Sequence, residues 1–234
     1  MLLSDVLSFF FNHDEEWGSY SITKAGTIVL AVLILVLMIG AAFLTSRKQR
    51  NVRLSAKTLA FAGVGLALSF ATSYVKIIPM PYGGSVTLFS MLFICLIGYW
   101  YGVKIGFITA LAYSVLQFFQ DGGSYILDPF QVCCDYFFAF TALGITGFFK
   151  GKKYNMLIVG YWIAIIMRGV FHTIGGYIYW MEYMPENFPA SLSAIYPIVY
   201  NYSYILLEGI LTTILLVLPP VKKALRKVQQ IATN

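Results

Sequence analysis

The sequence predicts an all-α integral membrane protein, with a core of six transmembrane helices and one extra N-terminal transmembrane helix. Three observations carry this prediction. Of the 234 residues, 59% are hydrophobic and 11% charged, against roughly 45–50% and about 25% in a soluble domain. Apolar runs long enough to cross a bilayer, which takes about 20 residues, recur along the chain. Threading those runs alternately from an outside N-terminus places every Lys and Arg other than Lys24, Lys76 and Arg168 on the inner side, as the positive-inside rule requires. A soluble enzyme, a disordered chain and a nucleic-acid-binding domain are all excluded. The net charge of +6 reports orientation and not an anionic partner.

In chain order, Met1 to Phe11 reads as a short surface amphipath, followed by an acidic outer segment, His13 to Glu16. Ala25–Ser46 is the first span; the cluster Arg47, Lys48, Arg50 and Arg53 behind it acts as a stop-transfer signal. Six further runs follow at Thr58–Val75, Ser85–Val103, Ile105–Phe119, Gln131–Phe148, Met156–Trp180 and Ile198–Leu218, separated by Pro, Gly or charged residues. Residues 1–53 thus form an N-terminal segment with its extra helix, and 54–234 a six-helix membrane domain with a cytoplasmic C-terminus. Cys95, Cys133 and Cys134 lie in apolar runs without ligand spacing, so neither a disulfide nor a metal site is expected.

Gly63, Ala67 and Ala71 recur every four residues on the Thr58–Val75 run, with Gly65 and Ser69 beside them. Small-residue stripes allow close helix approach in lipid. From the stripe alone, packing within the chain is at least as well supported as a partner protein.

Ionisable side chains inside a membrane cost about 2.5–3.5 kcal/mol each on insertion scales and so call for a partner or a function. Here they are Asp135, Arg168, His172 and Glu208. Arg168 and His172, at i and i+4, share a helix face that Gly176 and Tyr179 continue outward; Asn201, Tyr204 and Glu208 share another. Arg168 is expected to pair structurally with Glu208, leaving Asp135 as the strongest ligand-binding candidate. A core role is the plainer reading of His172 taken alone. Outer-end aromatics include Tyr125, Tyr136, Trp180, Tyr196 and Tyr200. An interfacial belt explains most of them, but aromatic faces beside a buried carboxylate also suit a flat organic cation.

Four motifs in order resemble one family, the thiamine-specific substrate-capture (S) components of energy-coupling factor (ECF) vitamin transporters. They are the segment Pro81 to Met91, the segment Tyr125 to Tyr136 with Ala139 and Phe140, Arg168-Gly-Val-Phe-His172 with Gly176, and Tyr200-Asn-Tyr-Ser-Tyr204 with Glu208. The resemblance implies thiamine binding near the outer face by Tyr125, Asp135, Tyr136, His172, Gly176, Trp180, Tyr196 and Asn201, under a lid that includes Tyr82. It implies no enzymatic activity and no cofactor. Its partners are a transmembrane coupling protein, which docks on Gly63, Ala67 and Ala71, and two cytoplasmic ATPases. Asp135 stands where some members have Glu, Asp128 where a His is expected, and Tyr202 where glycine is common. The rival readings are an S component for another vitamin or a thiamine precursor, and a membrane-embedded hydrolase using Asp135, His172 and Glu208. The sequence lacks His-Glu-x-x-His, nucleophile and phosphate-loop motifs.

Overall fold

The structure, a computed structural model, describes Phe9, residues 11–14, 19–23, Ala25, Val29, 55–120, 127 and 129–234. The expected first span, Ala25–Ser46, lies outside the described residues apart from Ala25 and Val29. The acidic segment does so in part. His13 and Asp14 belong to strand β1 (Phe11–Asp14), which pairs antiparallel with β2 (Ser19–Ile22); of the expected surface amphipath, Met1 to Phe11, only Phe9 and Phe11 are among the described residues.

Helix α1 spans Ala56–Ser73, opened by a Ser55 hydroxyl that accepts the Thr58 N–H at 3.1 Å, an N-cap that satisfies one orphan donor. Strands β3 (Lys76–Pro79) and β4 (Ser85–Thr87) form a hairpin around a 3-10 turn at Pro81–Gly83. Helix α2 (Ser90–Tyr101) turns into α3 (Val103–Gln120) at Gly102, whose φ of 94° favours glycine. Next come α4 (Pro129–Phe149), α5 (Asn155–Tyr179), α6 (Tyr196–Val217) and α7 (Pro219–Thr233). All of these helices except α2 and α7 are long and apolar enough to cross a membrane.

The span expected at Ser85–Val103 is shorter than the sequence implies. Val86 and Thr87 are β-branched and pair with β3, and Phe89 adopts a left-handed φ of 59°, so the helix starts only at Ser90. Its twelve residues rise about 18 Å, less than the hydrocarbon thickness. Because α2 is almost wholly buried among its neighbours, it need not meet lipid along its length. Outer helices instead expose apolar side chains such as Leu59, Val64, Ile108, Ile163 and Ile214, the surface expected of a bundle solvated by lipid.

Two apolar clusters stack along the bundle. One, around Met91, Tyr113, Phe140, Leu143 and Ile205, supports the cavity described below. The other, around Trp100, Tyr101, Tyr154 and Leu216, closes the end that carries Lys57, Lys104, Lys150 and the cations of α7. Gly144 and Gly147 let α4 lie on the backbone of α3: an added Cβ would fall 2.8 Å from Phe107 Cα and 2.5 Å from Val103 Cα. Helix α7, absent from the reading of the sequence, begins at Pro219 after the Leu218 N-cap and folds beneath α1 and α2, where Tyr101 donates to the Ala232 carbonyl at 3.0 Å.

Candidate ligand-binding site

At the opposite end, α4, α5, α6 and the β3–β4 hairpin surround a cavity. The wall on α4 is unusual: Cys133–Phe138 is a π-helical segment inside α4. Such wide turns recur at functional sites because they re-aim side chains that regular helix would stack. Here the segment carries Asp135, whose Oδ2 accepts from Gln131 Nε2 at 2.6 Å and from the Trp180 indole at 3.0 Å. The other oxygen, Oδ1, lies 3.5 Å from His172 Nδ1. Gly175 makes that approach possible, since a Cβ there would stand 2.8 Å from Oδ1.

His172 is held from behind. Arg168 Nε donates to its Nε2 at 3.2 Å. An imidazole nitrogen that accepts a hydrogen bond carries no proton, so the ring is the neutral tautomer with its hydrogen on Nδ1, toward Asp135. Arg168 also lies over the Phe140 ring, 4.4 Å from its centroid, and its Nη1 contacts Met91 Sδ at 2.8 Å. Guanidinium, neutral imidazole and carboxylate thus form a line from the bundle interior into the cavity.

The expected Arg168–Glu208 ion pair is not formed; no contact within 4.0 Å joins them. Glu208 Oε2 instead accepts the Thr87 N–H and hydroxyl, each at 2.8 Å, and anchors β4 to α6. The physical reason lies in the hairpin: β4 lies against α6 and brings its own donors to the carboxylate, while Arg168 finds an imidazole on its own helix one turn away. Buried carboxylates need hydrogen bonds more than they need any particular cation.

Helix α6 supplies the aromatic side. Tyr196, Tyr200 and Tyr204 rise at i, i+4 and i+8 with neighbouring centroids 5.9 Å apart. Tyr200 OH donates to the Pro81 carbonyl and ties the hairpin turn to the rim. Asn201 donates to the Pro197 and His172 carbonyls at 2.9 and 3.2 Å and accepts from Tyr204 OH at 3.0 Å, so its amide is oriented by both helices. Gly176 permits this crossing, its Cβ position being 2.8 Å from Pro197 Cβ. Tyr202, where glycine was the expectation, fits because it covers Gly169 and donates to the Ile166 carbonyl at 2.9 Å.

Of the residues singled out in the sequence, Asp135, Tyr136, His172, Gly176, Trp180, Tyr196 and Asn201 converge on this one cavity, with Arg168 in its lining. Tyr125 and Asp128 lie outside the described residues, as does the side chain of Tyr82; its neighbours Gly83 and Gly84 line the cavity. Gly63, Ala67 and Ala71 do not line it but lie on an exposed face of α1, whereas Gly65 and Ser69 turn inward to α2, Ser69 donating to the Ser90 carbonyl at 2.6 Å. The stripe thus splits into an internal packing face and a free outer one. Missed in the sequence were Gln131 and an amide cluster on the cavity wall, in which Gln117 Nε2 lies 3.0 Å from Ser73 Oγ and 2.8 Å from Gln120 Oε1. Three glutamines inside or at the ends of apolar runs were the available signal.

A carboxylate facing aromatic walls, flanked by fixed amide and indole groups, has the chemistry that suits a small, flat, positively charged organic molecule. Fold and cavity together define a multi-pass membrane protein built to capture such a ligand. The chain belongs to the thiamine transporter protein family (Thia_YuaJ), which matches residues 59–228. Among its relatives is the thiamine transporter ThiT of Bacillus subtilis (strain 168), 32% identical over 151 residues that cover 59% of this chain and 76% of ThiT. The fold is also that of the solved structure of ThiT from Listeria monocytogenes, with a TM-score of 0.53 at 22% identity over 70% of this chain and 94% of the other. The chain is therefore a thiamine transport subunit of the membrane, and not an enzyme.

Proposed function

We propose that the chain is the thiamine-capturing S component of an ECF transporter, with Asp135 as the ligand's anionic anchor. The observation that carries this reading is the setting of Asp135: one oxygen fixed by Gln131 and Trp180, the other beside His172, all inside aromatic walls. The thiazolium of thiamine is a permanent cation, suited to tyrosine and tryptophan faces and to a carboxylate. The aminopyrimidine offers donors and acceptors to Asn201, His172 and Asp135. Tyr125 and Tyr82 are further ligand contacts by resemblance to the family alone.

The cavity faces outward and the lysine-rich end faces the cytoplasm, because cations gather at that end. Residues 54–234 form the binding domain. The exposed face of α1 at Gly63, Ala67 and Ala71 docks the transmembrane coupling protein, and a Cβ at Gly63 would meet nothing within 4 Å among the described residues. Two cytoplasmic ATPases drive the cycle, in which the loaded subunit tilts as a body.

Isothermal titration of the purified chain against thiamine, riboflavin and the thiamine precursor pyrimidine tests the reading. Thiamine is expected to bind below about 1 µM, equivalent to about −8.2 kcal/mol, and riboflavin not at all. Tighter binding of either alternative overturns it.

A further inference from the structure

We infer that the lysine-rich end of the bundle holds the phosphate group of an anionic phospholipid, in a second cavity formed by Lys57, Lys150, Trp100, Tyr101 and the end of α7. This cavity is distant from the thiamine site and takes no part in it. The inference rests on the proposed orientation only in placing the lipid in the cytoplasmic leaflet.

Four observations converge. Lys57 at the start of α1 and Lys150 after α4 come from segments far apart in sequence and line the same cavity. Lys150 Nζ donates to the Tyr101 carbonyl at 3.2 Å, which positions the ammonium while leaving two of its hydrogens for another acceptor. Two hydroxyls, Ser55 Oγ and Thr58 Oγ1, sit 2.9 Å apart at the same place. No Asp or Glu occurs anywhere in 47–57, 101–106, 148–154 or 218–234, and among the described residues no ion pair holds a cation of this end. Basic pockets between transmembrane helices at the cytoplasmic side have the chemistry for lipid phosphate.

Helix α7 argues for a lipid over a soluble anion or a protein. Its inner face, Leu225 and Ala232, packs on the Trp100 and Tyr101 cluster. Ala224, Val228 and Ile231, at i, i+4 and i+7, form a second apolar strip that is left exposed, Ile231 at 53%. Lys223, Arg226 and Lys227 flank it on the polar side, exposed in turn. A helix with an exposed apolar strip and a cationic face lies in the headgroup plane, with the strip toward the acyl chains. The cavity then opens at headgroup level, where Trp and Tyr are also favoured.

The test is native mass spectrometry of the full chain in detergent, with phosphatidylglycerol and phosphatidylcholine supplied at equal concentration, and thiamine binding measured alongside to show that each variant is folded. Retention of phosphatidylglycerol is expected to exceed that of phosphatidylcholine about tenfold, the net negative headgroup being favoured over the zwitterionic one. Lys57→Gln/Lys150→Gln is expected to abolish the preference, and Lys57→Arg/Lys150→Arg to keep it, both with thiamine affinity unchanged. Equal retention of the two lipids, or an undiminished preference in the glutamine variant, overturns the inference. Displacement of the lipid by millimolar glycerol 3-phosphate reassigns the site to a free phosphate. Loss of ATPase-module capture at unchanged lipid preference reassigns it to a protein partner. Since detergent has no inner or outer side, failure of the orientation, read separately by cysteine accessibility in cells, leaves this result intact.

Discussion

His172 Nε2 accepts the hydrogen of Arg168 Nε at 3.2 Å, and the same ring presents Nδ1 to Asp135 Oδ1 at 3.5 Å. One neutral imidazole thereby sets the direction of the carboxylate that faces the ligand, while an interior cation sets the imidazole. Replacing Arg168 by Gln removes the charged donor and lets the ring turn. A hydrogen bond to a charged group contributes about 1.5–3 kcal/mol, so thiamine affinity is expected to fall about tenfold to a hundredfold by titration. An unchanged affinity would show that the ring is held by α5 and α6 packing alone.

Gly175 and Gly63 make a matched pair. A Cβ at Gly175 would press on Asp135 Oδ1 at 2.8 Å, whereas one at Gly63 meets nothing within 4 Å. Gly175→Ala is expected to weaken thiamine binding about tenfold or more, through displacement of the carboxylate, and Gly63→Ala to leave it unaltered. Equal effects on the two would contradict the placement of Asp135 against α5.

Thr87 donates both its N–H and its hydroxyl to Glu208. Thr87→Val deletes one charge-assisted bond deep in the bundle, at a cost of about 1.5–3 kcal/mol. Thermal unfolding in detergent is expected to shift down by several degrees, about 2–4 °C per kcal/mol for a chain of this size. An Arg168→Met variant with an intact Glu208 anchor should keep the hairpin in place, since Arg168 and Glu208 make no direct contact.

A bulky residue on the free face of α1 separates binding from transport. Ala67→Leu is expected to retain wild-type thiamine affinity in detergent and to lose uptake in cells. Small interface residues matter because helices in lipid associate through close packing. Undiminished uptake would remove this face from the coupling interface.

Much of this was legible in the sequence, for physical reasons. Hydrocarbon tolerates so few polar groups that Asp135, His172 and Asn201 stood out from their runs, and periodicity alone placed His172 above Arg168. Five of the six described core spans fell within a few residues of their expected ends. Local patterns could not reveal contacts made at a distance. Glu208 and Arg168 matched by charge and depth, but the packing of β4 on α6 is what brings Thr87 to the carboxylate. The strand itself was hidden because Ser85 to Phe89 is as apolar as the helix that follows. Helix α7 was passed over for the opposite reason: its charged face breaks the apolar run, although its period is helical. The π-helical segment at Cys133–Phe138 leaves no mark in hydropathy, and the glutamines around the cavity were outshone by the charges.

In the proposed complex the carboxylate of Asp135 holds the cation of thiamine, and Asp135→Asn isolates that contact because the amide keeps the shape of the side chain. Isothermal titration of the two proteins is expected to show binding weakened about a hundredfold or more in the variant, about 2.7 kcal/mol, with the unfolding temperature little changed. Affinity within a few-fold of wild type would contradict the account and assign Asp135 a purely structural role.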